Sequence, residues 1–283
     1  MYTLLAENQY GQQIELTHND DYSVKSVLGF DPPDAIINLT RNAGQDGSEY
    51  NSSYMDNRTI TITLAINYPA ERNRIDLYRY FKVKQPVKLY YRNGSRNVWI
   101  NGYTQSFQVA FFDKKETAQI TVVCPRPYLN DEDPVVEELT NIISLFEFPF
   151  EIEEEDPVEM SKIVIGIEKS VFNAGDVSTG MIVKLRSLGS VTNPIVYNTI
   201  TNEFIKIQDE LSAGDYIEIC TIQGSKYVKK ISSGVVSNLI GKLTAGSTWI
   251  QLLPGDNVFS VSADAGEAYL LTSFEIINLY EGV

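Results

Sequence analysis

The chain has 283 residues, of which 43% are hydrophobic and 21% are charged, a balance typical of a soluble globular protein with room for two domains. Its net charge of −14 disfavours a nucleic-acid-binding surface, which needs a concentrated basic patch. No run approaches the roughly 20 apolar residues of a membrane-spanning helix. The first residues lack the basic and apolar segments of a secretory signal, so we expect synthesis and folding in a cytoplasm.

The N-terminal part begins with short strands and turn signals, and Pro32-Pro33 interrupts any regular element. The segment Arg41–Asn57 is polar, has no periodicity and is predicted to be a long loop, a kind of segment that is usually functional or mobile. The next segment, Thr59–Ile66, alternates threonine or alanine with Ile60, Ile62, Leu64 and Ile66. This period of two predicts a β-strand.

A helix is predicted to follow from Pro69 to Phe81, since Leu77 and Phe81 are four residues apart and Ile75 and Tyr78 are three apart. These four side chains are expected to form one buried stripe. Four further strands are predicted in this part: Val87–Tyr91, Val98–Tyr103, Ser106–Phe112 and Ala118–Cys124. Asn93-Gly94 is typical of a two-residue hairpin turn between the first two of them.

A second helix is predicted after Cys124-Pro-Arg-Pro127, with Asp133 as N-cap and Pro134 in the first turn. The apolar residues Val135, Val136, Leu139, Ile142, Ile143 and Phe146 recur at near-helical spacing. The acidic run Glu151–Asp156 could be a cation-binding loop, but like charges repel, and we favour a solvated linker.

The C-terminal part is predicted to be nearly all strand. The strands expected there are Ile163–Ile167, Met181–Leu185, Phe204–Ile207, Tyr216–Cys220, Lys226–Ile231, Trp249–Leu252, Val258–Val261 and Tyr269–Tyr280. Four polar turns recur among them, at Asn173–Asp176, Ser212–Asp215, Pro254–Asn257 and Asp264–Glu267, each with a glycine beside an acidic residue. This pattern indicates an antiparallel β-sandwich or jelly roll.

The sequence offers little catalytic chemistry. His18 is the single histidine and has no partner at a recognisable spacing, and Cys124 and Cys220 form neither a zinc motif nor a redox pair. No nucleophile-elbow, P-loop, dinucleotide-binding or zinc-protease motif occurs, so no catalytic, cofactor-binding or metal-binding residue is predicted. The aromatic content of 11%, with Trp249, Tyr216, Tyr227 and Tyr269 in the C-terminal part, leaves carbohydrate stacking open beside ordinary core packing.

Several motifs carry a resemblance to siphophage distal tail proteins. Asn193–Asn198, Thr201–Ile207, Leu211–Ile219 and Leu252–Asn257 resemble the C-terminal domain of that family. The Thr59–Ala65 strand, the Arg72–Phe81 helix and Cys124–Pro127 are similar to its N-terminal domain. The similarity spans nearly the whole chain in the right order.

The resemblance implies a mainly β protein of the phage tail tip, in a phage of a Gram-positive host. It implies an N-terminal ring-forming β domain with a helix (residues 1–130), a connecting helix and acidic linker (131–160) and a C-terminal galectin-like antiparallel β-sandwich (161–283). Family members form a homo-hexameric ring between the tail tube protein and the tail-associated hub protein. DNA passes through the ring's channel, and receptor-binding or side-fibre proteins dock outside.

Two other functions stay open. A carbohydrate-binding module would recognise host wall polysaccharide through the C-terminal sandwich, and a wall-degrading enzyme is disfavoured because no catalytic constellation is visible. For the ring protein, we expect that the segment Arg41–Asn57 engages a neighbouring subunit, because a long segment without periodicity has no evident place in its own domain.

Overall fold

The computed structural model describes residues 2–111, 113, 115–144, 161–165 and 168–283. They divide into two units, the first comprising Met1–Asp133 together with Leu279–Val283 and the second comprising Pro134–Asn278. The chain therefore passes from the first unit to the second and returns for its last residues.

The first unit contains ten strands and one helix before the chain leaves it. These are β1 (Thr3–Asn8), β2 (Gln13–Glu15), β3 (Tyr22–Leu28), β4 (Ala35–Thr40), β5 (Glu49–Met55), β6 (Arg58–Ile66), α1 (Ala70–Tyr80), β7 (Pro86–Arg92), β8 (Asn97–Ala110), β9 (Thr117–Cys124) and β10 (Leu129–Asp131). The later elements are β11 (Val135–Glu138), β12 (Thr140–Ser144), β13 (Ser161–Ile165), β14 (Glu168–Asn173), β15 (Met181–Ser187), β16 (Val191–Asn198), β17 (Glu203–Lys206), β18 (Glu210–Leu211), β19 (Tyr216–Cys220), β20 (Tyr227–Ser232), β21 (Val235–Asn238), β22 (Gly255–Ala265), β23 (Leu270–Ile276) and β24 (Leu279–Tyr280), with short 3₁₀ helices at Ile240–Lys242 and Glu267–Tyr269.

One antiparallel sheet forms the core of the first unit, in the order β2-β1-β7-β8-β9-β6-β3, with β10 joining both β8 and β24. The predicted alternation in β6 is confirmed, since Ile60, Ile62 and Leu64 are fully buried. Residues of this kind suit a pleated, half-buried surface. The predictions Val98–Tyr103 and Ser106–Phe112 turn out to be one strand, β8, whose pairing with β9 is irregular between Thr104 and Ser106; Phe112 lies outside the described residues.

The predicted helix is confirmed as α1, but its predicted stripe is half wrong. Leu77 and Phe81 are buried, whereas Ile75 and Tyr78 are 48% and 39% exposed. The third buried position is Asn73, whose amide donates to the Asp21 carboxylate at 2.9 Å and whose carbonyl accepts from the Tyr22 hydroxyl at 3.0 Å. A helix that packs through one narrow row leaves its flanking apolar residues outside.

The hairpin predicted at Asn93-Gly94 is present, but its turn is longer than two residues. Arg92 pairs with Asn97, so the loop comprises four residues. The Asn93 side-chain oxygen accepts from the backbone N–H groups of Ser95 and Arg96, both at 2.7 Å. An asparagine that bonds its own turn in this way stabilises the wider loop.

The long loop predicted at Arg41–Asn57 is wrong for most of its second half. Residues Glu49–Met55 form β5, which pairs antiparallel with β4 in a two-stranded sheet of its own. The sequence of β5 lacks an apolar period because, within the chain, neither of its faces is buried.

The second unit is built from two larger antiparallel sheets and a two-stranded sheet of β12 and β13. One has the order β11-β23-β15-β19-β20-β21, and the other has the order β14-β22-β16-β17 with β18 also paired to β16. Phe259 of β22 and Phe274 of β23 meet with ring centroids 5.0 Å apart, so the two sheets face each other across one core. The predicted mainly β fold class is confirmed, and α1 is the one α-helix in the described ranges.

The second predicted helix, from Asp133 onward, is wrong. Val135–Glu138 pairs with β23, and Thr140–Ser144 pairs with β13. β-Branched residues at this spacing satisfy a strand as well as a helix, and a sheet edge was available to pair with them. Phe146 and the acidic run Glu151–Asp156 lie outside the described residues.

Two strand predictions in the second unit also need correction. Trp249–Leu252 is not a strand: only Leu252 makes an isolated bridge, to Thr179. The segment Tyr269–Tyr280 divides into a 3₁₀ turn, β23 and β24. Ile167, at the end of another predicted strand, lies outside the described residues.

Candidate assembly surfaces

The hairpin formed by β4 and β5, here called the arm (Ala35–Met55), projects its side chains into solvent. All residues of β4 are exposed, as are those of β5 except Met55, which is half-buried. A two-stranded hairpin is marginally stable in water unless another surface covers it. In the described part of the chain no other surface covers the arm. The arm is therefore a candidate surface for contact with another protein.

The two faces of the arm differ in chemistry. Because side chains alternate across a strand, the register places five apolar residues on one face, here called the apolar face: Ala35, Ile37, Leu39, Tyr50 and Met55. The Tyr50 hydroxyl lies 2.8 Å from the Ser53 hydroxyl on that face. The opposite face is largely polar, with Asn38 donating to Ser52 at 3.0 Å, and has Ile36 and Tyr54 only near its base.

Exposure makes the apolar face unusual. Ile37 and Leu39 are each 58% exposed and Tyr50 is 64% exposed. Single exposed apolar residues are ordinary, but a contiguous group marks an interaction surface. Sequence reasoning missed this group; the signal was the β-branched run Ala35–Thr40 directly after the double proline.

A groove of about 320 Å³ opens in the first unit between β1 and β3, which do not pair with each other. This space is called the groove from here on. Its lining residues are Tyr2, Leu4, Val24, Ser26, Val27, Phe30, Asp31, Tyr91 and Val283. Leu4 and Phe30 are buried beneath it, whereas Tyr2 is 48% exposed. The groove thus has an apolar floor and a polar rim.

Arg58 holds the loop behind this groove. Its side chain is 2% exposed, and its guanidinium donates to the carbonyls of Gly29 (2.6 Å), Asp31 (2.9 Å), Pro127 (2.6 Å) and Glu281. Burial lowers the pKa of the Arg58 guanidinium, although nearby acidic groups oppose this. Four backbone acceptors therefore compensate one buried charge and fix three separate loops.

The outer face of the larger sheet in the second unit carries charges that neutralise one another. Lys184 pairs with Glu275 at 2.8 Å, and Lys229 pairs with Glu218 at 2.7 Å. Although burial opposes ionisation of Glu218, hydrogen bonds from Lys229 and Tyr227 hold the pKa of this carboxyl below its usual range. The face is polar but locally neutral, as the rim of a protein interface is.

The residues considered for chemistry do not assemble into a reactive site. His18 is exposed and its Nε2 donates to the Tyr2 carbonyl at 3.2 Å. Both cysteines are buried, and burial raises the pKa of the Cys124 thiol to about 12, which disfavours the reactive thiolate.

The four aromatics considered for sugar stacking are dispersed. Tyr216 and Tyr227 stand at opposite ends of the β19–β20 ladder, paired with Ile231 and Cys220. Trp249 packs partly buried against the second core, with the Lys226 ammonium 5.5 Å from its ring centroid. Tyr269 is exposed, and its ring lies over Gly189.

Two kinds of feature are missing from the part of the chain that the structure describes. It has no cluster of three or more histidine, cysteine or acidic side chains able to hold a metal ion. None of its helices is both long and apolar enough to cross a lipid bilayer.

Comparison with known proteins shows which family has this arrangement. Residues 9–124 match the model of the phage tail protein RIFT-related domain, and residues 174–275 match the siphovirus-type tail component, C-terminal domain. The chain belongs to the siphophage distal tail proteins. The match covers both units, in the order that the sequence motifs indicated. No curated protein sequence matches the chain.

Solved structures agree in fold with this distal tail protein. The Dit protein of phage SPP1, described as a paradigm of the hub adsorption apparatus in phages that infect Gram-positive bacteria, superposes with a TM-score of 0.69 at 14% identity over 99% of each chain. A chain of the phage P2 baseplate in its activated conformation with Ca superposes with a TM-score of 0.54 at 9% identity over 100% of each. The same baseplate with Sr gives 0.52 at 10% identity, also over 100% of each.

This distal tail protein is accordingly a structural component of the siphophage tail.

Proposed function

We propose that this distal tail protein forms a homo-hexameric ring at the tail tip, between the last ring of the tail tube protein and the tail-associated hub protein. The first unit forms the ring and its DNA channel. The second unit stands outside as a platform for receptor-binding or side-fibre proteins. The observation that carries the proposal is the exposed arm, whose apolar face has no cover within the described chain.

An uncovered arm is explained by a repeated contact between copies. If each subunit gives its arm to the next one, the contact is heterologous, and a rotation that closes produces a ring. The contact also protects exposed strands, which would otherwise invite aggregation. The arm therefore serves assembly better than it serves the fold of its own chain.

The charge of the chain suits a conduit for DNA. With a net charge of −14, a ring of these subunits repels the phosphate backbone and offers no concentrated basic patch to retain it. DNA would then pass through the channel without specific binding.

The second unit suits reversible docking. Its outer sheet face presents paired charges, Lys184 with Glu275 and Lys229 with Glu218. Interfaces between proteins that associate after folding are polar at their margins. Stacking on sugar is less well supported, because the dispersed aromatics offer no shared platform and the Tyr227 hydroxyl is already bonded to Glu218.

The role is structural, without catalysis. The matched families are tail components, and His18, Cys124 and Cys220 have surroundings that suit neither a nucleophile nor a general base.

The test is the mass and shape of the purified chain. Negative-stain images should show six-fold rings, and light scattering should give six times the 31.8 kDa chain mass. Replacing residues 35–55 with a short glycine-serine linker should reduce that mass to one chain while leaving the circular dichroism of both units folded. A wild-type chain that stays monomeric at every concentration would overturn the ring, and an unchanged hexamer after the deletion would overturn the role of the arm.

A further inference from the structure

We propose that the apolar face of the arm occupies the groove between β1 and β3 of the neighbouring subunit. The inference rests on the proposed ring, because it needs subunits placed side by side. It adds the receiving surface, which neither the sequence motifs nor the family assignment specifies.

The groove offers what the apolar face needs. Val24 and Val27 of β3 and the buried side chains of Leu4 and Phe30 make an apolar floor under about 320 Å³ of open space. Polar atoms at Ser26 and at Tyr2 and Tyr91 stand at the rim, where the unpaired backbone edge of a hairpin can bond. Two other concavities, one beside α1 and one at the end of the arm, are lined mainly by polar and charged residues and give no comparable seat.

The geometry of the arm points to a neighbour's groove. The arm leaves β3 through the short connection Gly29–Asp34, and its strands extend by roughly 20 Å at about 3.3 Å per residue. Ile37 and Leu39 remain exposed although the groove of their own chain is close to the base of the arm. The apolar face is therefore left uncovered by the described residues of its own subunit and is available to the next subunit in a ring.

Charge at the two surfaces is compatible. Asp31 is the charged side chain lining the groove, and Arg58 holds its backbone in place. Arg41 follows directly after β4, beside the apolar residue Leu39 and its neighbour Thr40. The arm therefore brings a positive charge toward a rim that carries a negative one, while Glu49 lies on the opposite, polar face with Thr40.

Cysteine pairs in the full-length chain test directly whether the arm binds in the groove of the neighbouring subunit. The variant Leu39→Cys combined with Val27→Cys, and a second variant combining Leu39→Cys with Ser26→Cys, are oxidised mildly and run without reductant. The matched control combines Ser52→Cys, on the polar face, with Val27→Cys. The native Cys124 and Cys220 are buried and do not interfere.

Both Leu39 pairs should give covalent ladders up to six subunits, with at least about tenfold more cross-linked product than the Ser52 control, because the bound arm raises the local thiol concentration. Light scattering on the same samples separates the possible failures. Hexamers without cross-links at either groove position would show that the arm does not bind in the groove. The proposed ring would not be affected by that result. Monomers at every concentration would overturn the proposed ring itself.

Discussion

In the first unit the buried Arg58 bonds loops that are far apart in the sequence, whereas in the second unit Asp215 and Asn257 bond backbone groups of nearby residues. Arg58 bonds carbonyls that are 27, 29, 69 and 223 residues away. Asn257 instead bonds Leu253 and Gly255, at most four residues away, and Asp215 accepts from the backbone of Ser212, three residues away.

The difference teaches where each unit is vulnerable and where it meets other proteins. Asp215 and Asn257 act on their own stretches of the second unit, and paired charges lie on the outer face of its larger sheet. The long-range contacts of Arg58 organise the loop Gly29–Asp31, from which the arm departs and on which the rim of the groove depends. The surfaces proposed for ring formation thus lie beside the loop that Arg58 holds in place.

The largest effect is expected at Arg58. Changing Arg58→Met leaves four backbone carbonyls without the donor that holds them and should reduce the free energy of unfolding of the first unit by about 3–5 kcal/mol. Trp99 and Trp249 lie one in each unit, so urea unfolding followed by fluorescence in a Trp249→Phe background reports the first unit alone.

The matched control for this change is Arg79→Met, at a side chain 73% exposed and paired only with Asp76. This substitution should lower the free energy of unfolding by less than about 0.5 kcal/mol. Equal effects of the two substitutions would remove the contrast between the units.

A smaller contrast is expected within the recurring turns of the second unit. Gly214 and Gly266 both have positive φ, at 90° and 80°, but a Cβ at Gly266 would lie 2.0 Å from the Ser190 carbonyl oxygen, whereas one at Gly214 meets nothing within 4 Å. Gly214→Ala should lower the free energy of unfolding by about 1 kcal/mol, because of backbone strain alone. Gly266→Ala should lower the free energy of unfolding by roughly 3 kcal/mol, because the neighbouring strand must also move.

Fluorescence of Trp249 in a Trp99→Phe background measures both glycine variants. Similar losses for the two would mean that the turns are equivalent in structure as they are in sequence.

The smallest effect is a pH dependence at Asp215. Hydrogen bonds from the Ser232 side chain and the Ser212 backbone hold the pKa of Asp215 below its usual value. A carboxyl with a lowered pKa stabilises the fold above its unfolded pKa of about 3.9, and this contribution is lost as the pH falls through the folded value.

Asp215→Asn should therefore lower the free energy of unfolding by about 1 kcal/mol at neutral pH. This difference in stability from the wild type should disappear as the pH falls to about 2. Denaturation at several pH values checks this. Asp256→Asn, at an exposed residue of β22 whose carboxylate accepts from the Ser170 hydroxyl, serves as the control and should lower the free energy of unfolding by less than about 0.5 kcal/mol.

How much the sequence could predict depends on the range of the interactions. The β6 strand and the turn at Ser212–Asp215 were predictable because alternation and turn chemistry are local, but the turn predicted at Pro254–Asn257 is wrong, since β22 begins at Gly255. The segment after Asp133 was mistaken for a helix because Val135, Val136 and Leu139 fit either period, and only pairing with β23 decides between them. Nothing near Arg58 in the sequence indicates its role, since one of its acceptors is Glu281.

The arm was half predictable. The segment Arg41–Asn57 was expected to engage a neighbouring subunit, which stays a prediction, but the two strands of the arm were not predicted. Burial imposes an apolar period on a strand, and the arm is not buried within its own chain. A surface that is covered only after assembly follows the partner's shape, which one sequence does not contain.

The most direct test of the central claim, that the apolar face of the arm joins subunits into a ring, is sedimentation velocity of the paired variants Leu39→Asp and Ser52→Asp. Both positions are exposed, so both variants should fold as wild type does. The account predicts that Leu39→Asp sediments as a single chain while Ser52→Asp remains hexameric. A hexamer that survives Leu39→Asp, or that is lost equally with Ser52→Asp, would contradict it.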